Sequence, residues 1–543
     1  MQPHPSSSIG ARDDRTLLAV YDLSVAPVSF DFAIFMALAD LHRQRLGLAS
    51  IHVIFVPAPG EGFWDREALG LDDRRWRVRN LLTPLCWLWP SCRGVTVLGA
   101  RDEARHWLRV KRGAIFPVSY RLSRPVPESF LWANLAAEHA CGEMPPVWQA
   151  PPTARALVQQ WLDTRAAGRR VVIITLREAD YYSELNSNIE AWAAFARSLD
   201  PRLYLPVIVR DTMASFGPLP PALQGLTVFP EAALTMEIRA ALYEAGFIGL
   251  SVGTGPMTLQ WLNPNCRFVI FRLLIEENFR SRPTPLRSMG IEIGGQLSTG
   301  SPFHRFVWED DRFDVIKREF DRIVGEIDAA ATEIAPPVQP GSGEPPLRMA
   351  RRLRETHRLT SARRIYRHLL ARHQSRAAAR YGLSLVELAT PRRFRGWRYL
   401  RGFYHYVRGR MVEVGSPWEN ADEALEIADA RERWRDAATA ETIYRSILSK
   451  ERDQPTALHR LGRIALRRGA TNEAIELLKR AAAGDPYTAA VHYDLAEALS
   501  AVGRREDAMQ HYRMATSCDP SHALARERLS EVTIKGEQEG VPA

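Results

Sequence analysis

Over its first 330 positions the chain alternates short apolar runs with longer segments of helical periodicity. Residues 16–21 (Thr-Leu-Leu-Ala-Val-Tyr) read as a buried strand ending at Asp22. Ser29 is placed to cap a helix over 31–46 that keeps Ile34, Phe35, Leu38 and Leu41 on one side. Residues 51–56 form the next strand and 94–99 another, followed by a short helix over 102–108. Residues 60–79 are polar and contain glycine, which predicts a long loop over the binding edge of a sheet. A second series follows prolines 145, 146, 151 and 152: a helix over 154–165, strands at 170–175, 203–209 and 226–229, and helices at 188–199 and 236–245. Strands and helices in this order imply parallel sheets with right-handed crossovers. The fold class expected is therefore α/β, two Rossmann-like halves with ligands at the carboxyl ends of the strands.

The second series ends in an apolar run, a glycine turn and a helix-like pattern over 247–262. A strand would stop near Val252, and Gly253 and Gly255 would let the backbone approach a ligand. Pro256 suits a first helical position, and the free N–H groups of the turn after it suit a phosphate. A side chain at Gly255 would then block the diphosphate. The segment Thr254-Gly255-Pro256-Met257-Thr258-Leu259, followed by Pro264 and the apolar run 268–271, resembles the donor site of lipopolysaccharide heptosyltransferases and related two-Rossmann-domain (GT-B) glycosyltransferases. That family usually reads Asp-Thr/Ser-Gly-Pro-Met-His-Leu-Ala. Gly253, Thr258 and Gln260 stand here at its Asp, His and Ala positions. The helix over 188–199 is similar to the Trp-containing helix of the family's second domain.

The resemblance implies a donor cradle at Gly253, Thr254, Gly255, Pro256, Met257 and Thr258. It also implies that Asp31, at the start of the first long helix, is the base that deprotonates the acceptor. Phe30 stands where the family has glycine. Asp22, at the end of the first strand, competes for that role, and either aspartate can instead cap a helix or turn. Arg177 and Arg272, each following a strand, are placed to add positive charge to the diphosphate; for Arg177 an ion pair with Glu178 or a neighbouring carboxylate is the structural alternative. No Asp-x-Asp metal motif occurs at a strand end, although Asp310 and Asp311 are adjacent in a loop. Metal-independent transfer with the nucleotide sugar as substrate and no cofactor is expected.

Beyond a Pro/Gly-rich linker at 335–347, Leu461, Gly469, Ala474, Ala481 and Pro486 recur 34 residues later as Leu495, Gly503, Ala508, Ala515 and Pro520. This is the tetratricopeptide (TPR) period, with small residues where paired helices touch. Ala440, Tyr444 and Ile447 fit an earlier copy, and Ala362, Tyr366 and Leu369 a more divergent one. A capping helix is expected over 522–532. The domains expected are 1–150 on the acceptor side, 151–334 on the donor side, the linker, and an all-α solenoid over 348–543.

Composition narrows the class further. The 543 residues carry a formal charge of +9, and five cysteines lack the paired spacing of a disulfide framework or zinc site. The N-terminus lacks the apolar core of a signal peptide, and no apolar run reaches the roughly 20 residues of a membrane span. A reducing, cytoplasmic setting is expected. Between 348 and 410 eighteen arginines face only Glu355 and Glu387, with Trp397, Tyr399, Phe403, Tyr404 and Tyr406 interleaved. These are either solvated helix faces over an aromatic core or a dock for an anionic surface such as the inner membrane. No nucleic-acid motif appears. The expected function is transfer of a sugar from a nucleotide sugar to a surface-polysaccharide, lipid-linked or protein acceptor, with the repeats binding acceptor or partner. The alternative is a non-catalytic TPR scaffold carrying a degenerate transferase domain.

Overall fold

The structure, a computed structural model, describes residues 15–64, 69–110, 114–127, 129–275, 286–287, 291, 293–296, 301–332, 345–372, 374–389, 421–433 and 436–538. The chain divides into two compact units. One comprises Met1–Leu135, Glu143–Leu273 and Gln296–Gly341; the other comprises Ala136–Gly142, Leu274–Gly295 and Ser342–Ala543.

The first unit opens with β1 (Thr16–Asp22), α1 (Asp31–Arg45), β2 (Ser50–Val56), α2 (Leu71–Arg77), α3 (Thr83–Cys86), β3 (Cys92–Val97), α4 (Ala104–Val110) and β4 (Ile115–Phe116). All pairings are parallel, in the order β3-β2-β1-β4, and β1 lies on β2 from Thr16 opposite Ser50 to Asp22 opposite Val56. The expected loop over 60–79 is partly helical. Asp72 and Asp73 lie in the first turn of α2 and Arg74, Arg75 and Arg77 in its last, a charge order that complements the helix dipole.

Then follow α5 (Trp132–Ala140), α6 (Pro152–Asp163), β5 (Arg170–Thr175), α7 (Ile189–Ser198), β6 (Tyr204–Val209), β7 (Thr227–Val228), α8 (Pro230–Leu234), α9 (Met236–Ala245), β8 (Ile248–Val252), α10 (Met257–Trp261), β9 (Phe268–Phe271) and β10 (His304–Val307). The helix Phe313–Thr332 closes the series. The six strands are parallel in the order β10-β9-β8-β5-β6-β7. Counted from β5, this is the 3-2-1-4-5-6 order of doubly wound nucleotide-binding sheets, and its switch point lies between β5 and β8. Val172, Ile174, Leu250 and Phe271 pack from one face of this sheet onto Trp192, Phe195 and Phe320.

The boundary expected at 150/151 separates two sheets but not two compact units. The proline-rich bridge is anchored rather than loose: Trp148 is 0% exposed and its indole N–H donates to the Leu259 carbonyl at 2.7 Å. The backbone N–H of Gln149 donates to Leu88 O at 2.7 Å, and that of Ala150 to Glu244 at 2.9 Å. Residues 148–150 are thereby stitched to both halves.

The second unit is a stack of helices. Pro346–Glu355, Leu359–Ala371 and Arg376–Leu388 are followed by the pairs Ala421–Arg433 with Ala437–Lys450, Pro455–Arg467 with Thr471–Gly484, and Ala489–Ala501 with Arg505–Cys518; Ala523–Gln538 comes last. Small residues sit where the helices touch, as the repeat requires. A Cβ on Gly462 would fall 2.7 Å from Leu478 Cγ, and Ala440, Tyr444, Ala362 and Tyr366 are all 0% exposed.

Six of the eighteen arginines of the tract pair with carboxylates, three of them with residues beyond position 420. Arg348 pairs with Asp422, Arg351 and Arg354 with Glu426, Arg363 and Arg367 with Glu387, and Arg364 with Glu138. Six of the arginines expected on an anionic dock are thus internal ion-pair partners. Arginines 392, 393, 395, 398, 401, 408 and 410 and the interleaved aromatics lie outside the described residues, as does the linker over 335–344.

Candidate functional site

The carboxyl edges of the two sheets meet at Phe30 and Gly255. A Cβ on Gly255 would stand 2.7 Å from Phe30 Cδ2, so the turn after β8 rests on the residue that precedes α1. Asp31 follows at once, half-buried, and its Oδ2 accepts from the Ser29 hydroxyl at 2.9 Å. Asp31 and the 253–257 turn, far apart in sequence, are therefore neighbours. The helix is entered through Phe30, which makes no side-chain cap, rather than through Ser29.

The contact changes the reason for the glycine. Gly255 makes room for the Phe30 ring. Gly255→Val is therefore expected to lower stability by about 1–3 kcal/mol through overpacking, as well as disturbing the turn; an unchanged thermal midpoint would show that Phe30 swings away freely. The expected ring of free N–H groups is also smaller than the sequence implies. The N–H groups of Met257, Thr258 and Leu259 donate to the carbonyls of Thr254, Gly255 and Pro256, and α10 has only five residues. Met257, Thr258 and Gln260 are buried, whereas Gly253, Thr254, Gly255 and Pro256 are at least partly exposed.

Asp22 is held by its surroundings. Arg101 grips both oxygens at 2.8 Å, Tyr120 donates its hydroxyl at 2.6 Å, and Ser24 donates through its N–H at 3.0 Å and its hydroxyl at 2.6 Å. Burial pushes its pKa up, but these bonds more than reverse that and leave it below the ordinary carboxylate value. A carboxylate so occupied is a structural anchor and a weak base.

At the ends of the second sheet's strands, arginines gather around Asn186. Arg177 is buried and donates to Asn186 Oδ1 at 3.1 Å and to the Tyr181 carbonyl at 2.9 Å, with its guanidinium 5.2 Å from the Tyr181 ring centre. Arg272, in the left-handed region at φ 57°, donates to the Asn186 carbonyl at 3.1 Å and meets exposed Asp310 at 3.4 Å. Glu178 is not the partner of Arg177: it pairs with Arg210 at 2.6 Å. Burial lowers the pKa of Arg177, and Asp211, Glu184 and Arg77 also act on it from nearby. Arg77 of α2 donates to the Tyr181 hydroxyl at 3.1 Å. Asp311 is structural, accepting from the N–H of Asn188 at 2.7 Å and the Trp192 indole at 2.8 Å.

One residue of this region was not singled out from sequence. Arg239 lies on the apolar stripe of α9 with Met236, Ala240 and Tyr243, and is 2% exposed. A charged residue at a stripe position is the signal that marks it.

Paired antiparallel helices with small residues at their contacts define the C-terminal part as an α-solenoid. Its class is the tetratricopeptide repeat, which residues 465–529 match; such repeats generally serve protein–protein binding. The TPR repeat-containing thioredoxin TTL4 of Arabidopsis thaliana is 38% identical over 79 residues, which is 14% of this chain. The chain spans only 12% of the length of that curated relative. Among solved structures, YrrB, a TPR protein with an unusual peptide-binding site, aligns at 18% identity over 38% of this chain and 96% of its own, with a TM-score of 0.22. The thermophilic TPR protein TTC0263 of Thermus thermophilus aligns at 18% identity over 35% of this chain and 97% of its own, with a TM-score of 0.26.

Proposed function

We propose that the α/β unit is a glycosyltransferase of the GT-B kind, moving a sugar from a nucleotide diphosphate to a hydroxyl acceptor, and that the TPR repeats hold the acceptor or a partner protein. The observation that carries this reading is the contact of Phe30 with Gly255, which sets Asp31 beside the turn at the end of β8. In the reaction the acceptor oxygen bonds to the anomeric carbon while Asp31 takes its proton. The bond from that carbon to the diphosphate oxygen breaks, and the nucleotide diphosphate leaves with the electron pair. Arg177 and Arg272 supply positive charge as negative charge builds on the leaving group. All five cysteines are free and buried, which fits a reducing cytoplasmic compartment where nucleotide sugars are made.

The scaffold reading is favoured by a different observation. Gly253 and Thr258 stand where the resembling family has Asp and His, and Thr258 is buried. A thermal-shift panel of nucleotide sugars on the full chain, followed by assay of released nucleoside diphosphate, separates the two. Stabilisation and turnover with at least one donor are expected; stabilisation without turnover in an acceptor screen, or no stabilisation at all, would favour the scaffold.

A further inference from the structure

Arg239 is a buried cation without a counter-ion. Its Nε donates to the Ala232 carbonyl at 2.7 Å, and among the described residues its two terminal nitrogens have no partner and no carboxylate lies within ion-pairing distance. A guanidinium carries five N–H donors, and removing that charge from water is unfavourable unless an anion or a full set of acceptors replaces the solvent. Arg177, 6% exposed, is a second buried guanidinium: it hydrogen-bonds two neutral oxygens, with Asp211 and Glu184 near enough to act on its charge but, among the described residues, in no ion pair with it.

The rise of helix and strand brings the two residues to one level of the fold. Gly246, just after α9, sits beneath Ile173, since a Cβ there would fall 2.3 Å from Ile173 Cδ1. Tyr243, in the last turn of α9, meets Thr175 at 3.1 Å between hydroxyls. Arg239 is four residues further back, about 6 Å along the helix, and the next residue on the Thr175 face of the chain is Arg177, about 6.6 Å along the strand direction. Helix and strand thus climb together, and Arg239 reaches the level of Arg177 at the carboxyl edge. Ser251 lies opposite Thr175 in the β5/β8 register, and its hydroxyl is buried with no partner among the described residues. The turn at 253–256 follows directly. This is the switch point of the sheet, where doubly wound folds open a crevice for ligands.

We propose that Arg239 and Arg177 together hold a phosphate or diphosphate group at the β5/β8 switch point. For a nucleotide diphosphate the assignment rests on the transferase reading above; for the anion alone it does not. Bidentate arginine contacts suit phosphoryl oxygens, and the Ser251 hydroxyl adds a further donor.

The test is calorimetric titration of the full chain with pyrophosphate, UDP, GDP and ADP, comparing wild type, Arg239→Met and Arg239→Lys. Wild type is expected to bind pyrophosphate and at least one nucleotide. Arg239→Met should weaken that binding roughly 10- to 100-fold, as loss of a hydrogen bond to a charged group does, and Arg239→Lys less. The unliganded thermal midpoint of Arg239→Met should hold or rise, because an unpaired buried charge is removed. A lower midpoint, or misfolding of both variants, would make Arg239 structural and overturn the assignment. Unchanged nucleotide binding in a folded Arg239→Met protein would overturn it too, while leaving the transferase reading intact. Pyrophosphate binding without any nucleotide would keep the anion site and sink the transferase reading; no binding of any of the four would sink both.

Discussion

Glu426→Ala is expected to destabilise the helical unit by about 3–5 kcal/mol, the cost of breaking a buried ion pair from one side. The Glu426 side chain is fully buried, with Arg351 Nε at 2.9 Å and Arg354 Nη1 at 3.1 Å. Truncation leaves Arg351 and Arg354, neighbours one turn apart on the helix Pro346–Glu355, largely buried without that carboxylate. Burial pushes the Glu426 pKa up, but the charges of Arg354 and Arg351 outweigh it and hold the group below its ordinary 4.5. A depressed folded-state pKa stabilises above the unfolded value and fails below it. The contribution should therefore be complete above about pH 4.5 and vanish as pH falls through the lower folded value. Urea midpoints followed by helical circular dichroism at pH 7, and at steps down to pH 3, read both effects. A loss under about 1 kcal/mol, or equal acid sensitivity in wild type and variant, would show that water or other acceptors replace the carboxylate.

Asp31→Asn is expected to lower turnover by roughly 10²- to 10⁴-fold while leaving donor affinity nearly unchanged, as removal of a general base does. Asp22→Asn should behave differently. The amide puts an N–H₂ where Arg101 or Tyr120 now donates, and it removes a buried negative charge, so the thermal midpoint should fall. The pair of variants distinguishes the base from the anchor through a rate on one side and a melting curve on the other. Loss of turnover at unchanged stability in Asp22→Asn, with Asp31→Asn active, would reverse the two roles.

Much of the α/β unit is legible from sequence: the apolar runs within 170–175 and 268–271 coincide with the buried parallel strands β5 and β9, and the helical period over 236–245 with α9. What escaped has identifiable causes. β4 is two residues long, too short for any period to show. α2 has no buried residue, so it lacks an apolar stripe and only its charge order betrays it. The pairing of Arg177 with Glu178 failed because side chains adjacent along an extended chain point apart; Arg210, at the end of the neighbouring strand, reaches Glu178 instead. The ion pairs of the arginine tract escaped for a related reason. A tally over 348–410 cannot count Asp422 and Glu426, which the fold brings back to Arg348, Arg351 and Arg354. For the site, adjacency of Asp31 and the 253–257 turn followed from a resemblance, whereas Arg239 is marked in the sequence itself, as the one charge among the apolar stripe positions of its helix.

The anchored bridge at Trp148 bears on how a substrate would enter. A hinge needs residues whose dihedral angles change without tearing packing. Here rotation would pull an indole out of the interior and break its bond to Leu259, while Gln149 holds Leu88 on the other side. The bridge is a strap, not a pivot. The two sheets are tied together through it, so in the proposed transferase a substrate would be admitted by movement of loops at the rim rather than by a wide swing of one half against the other.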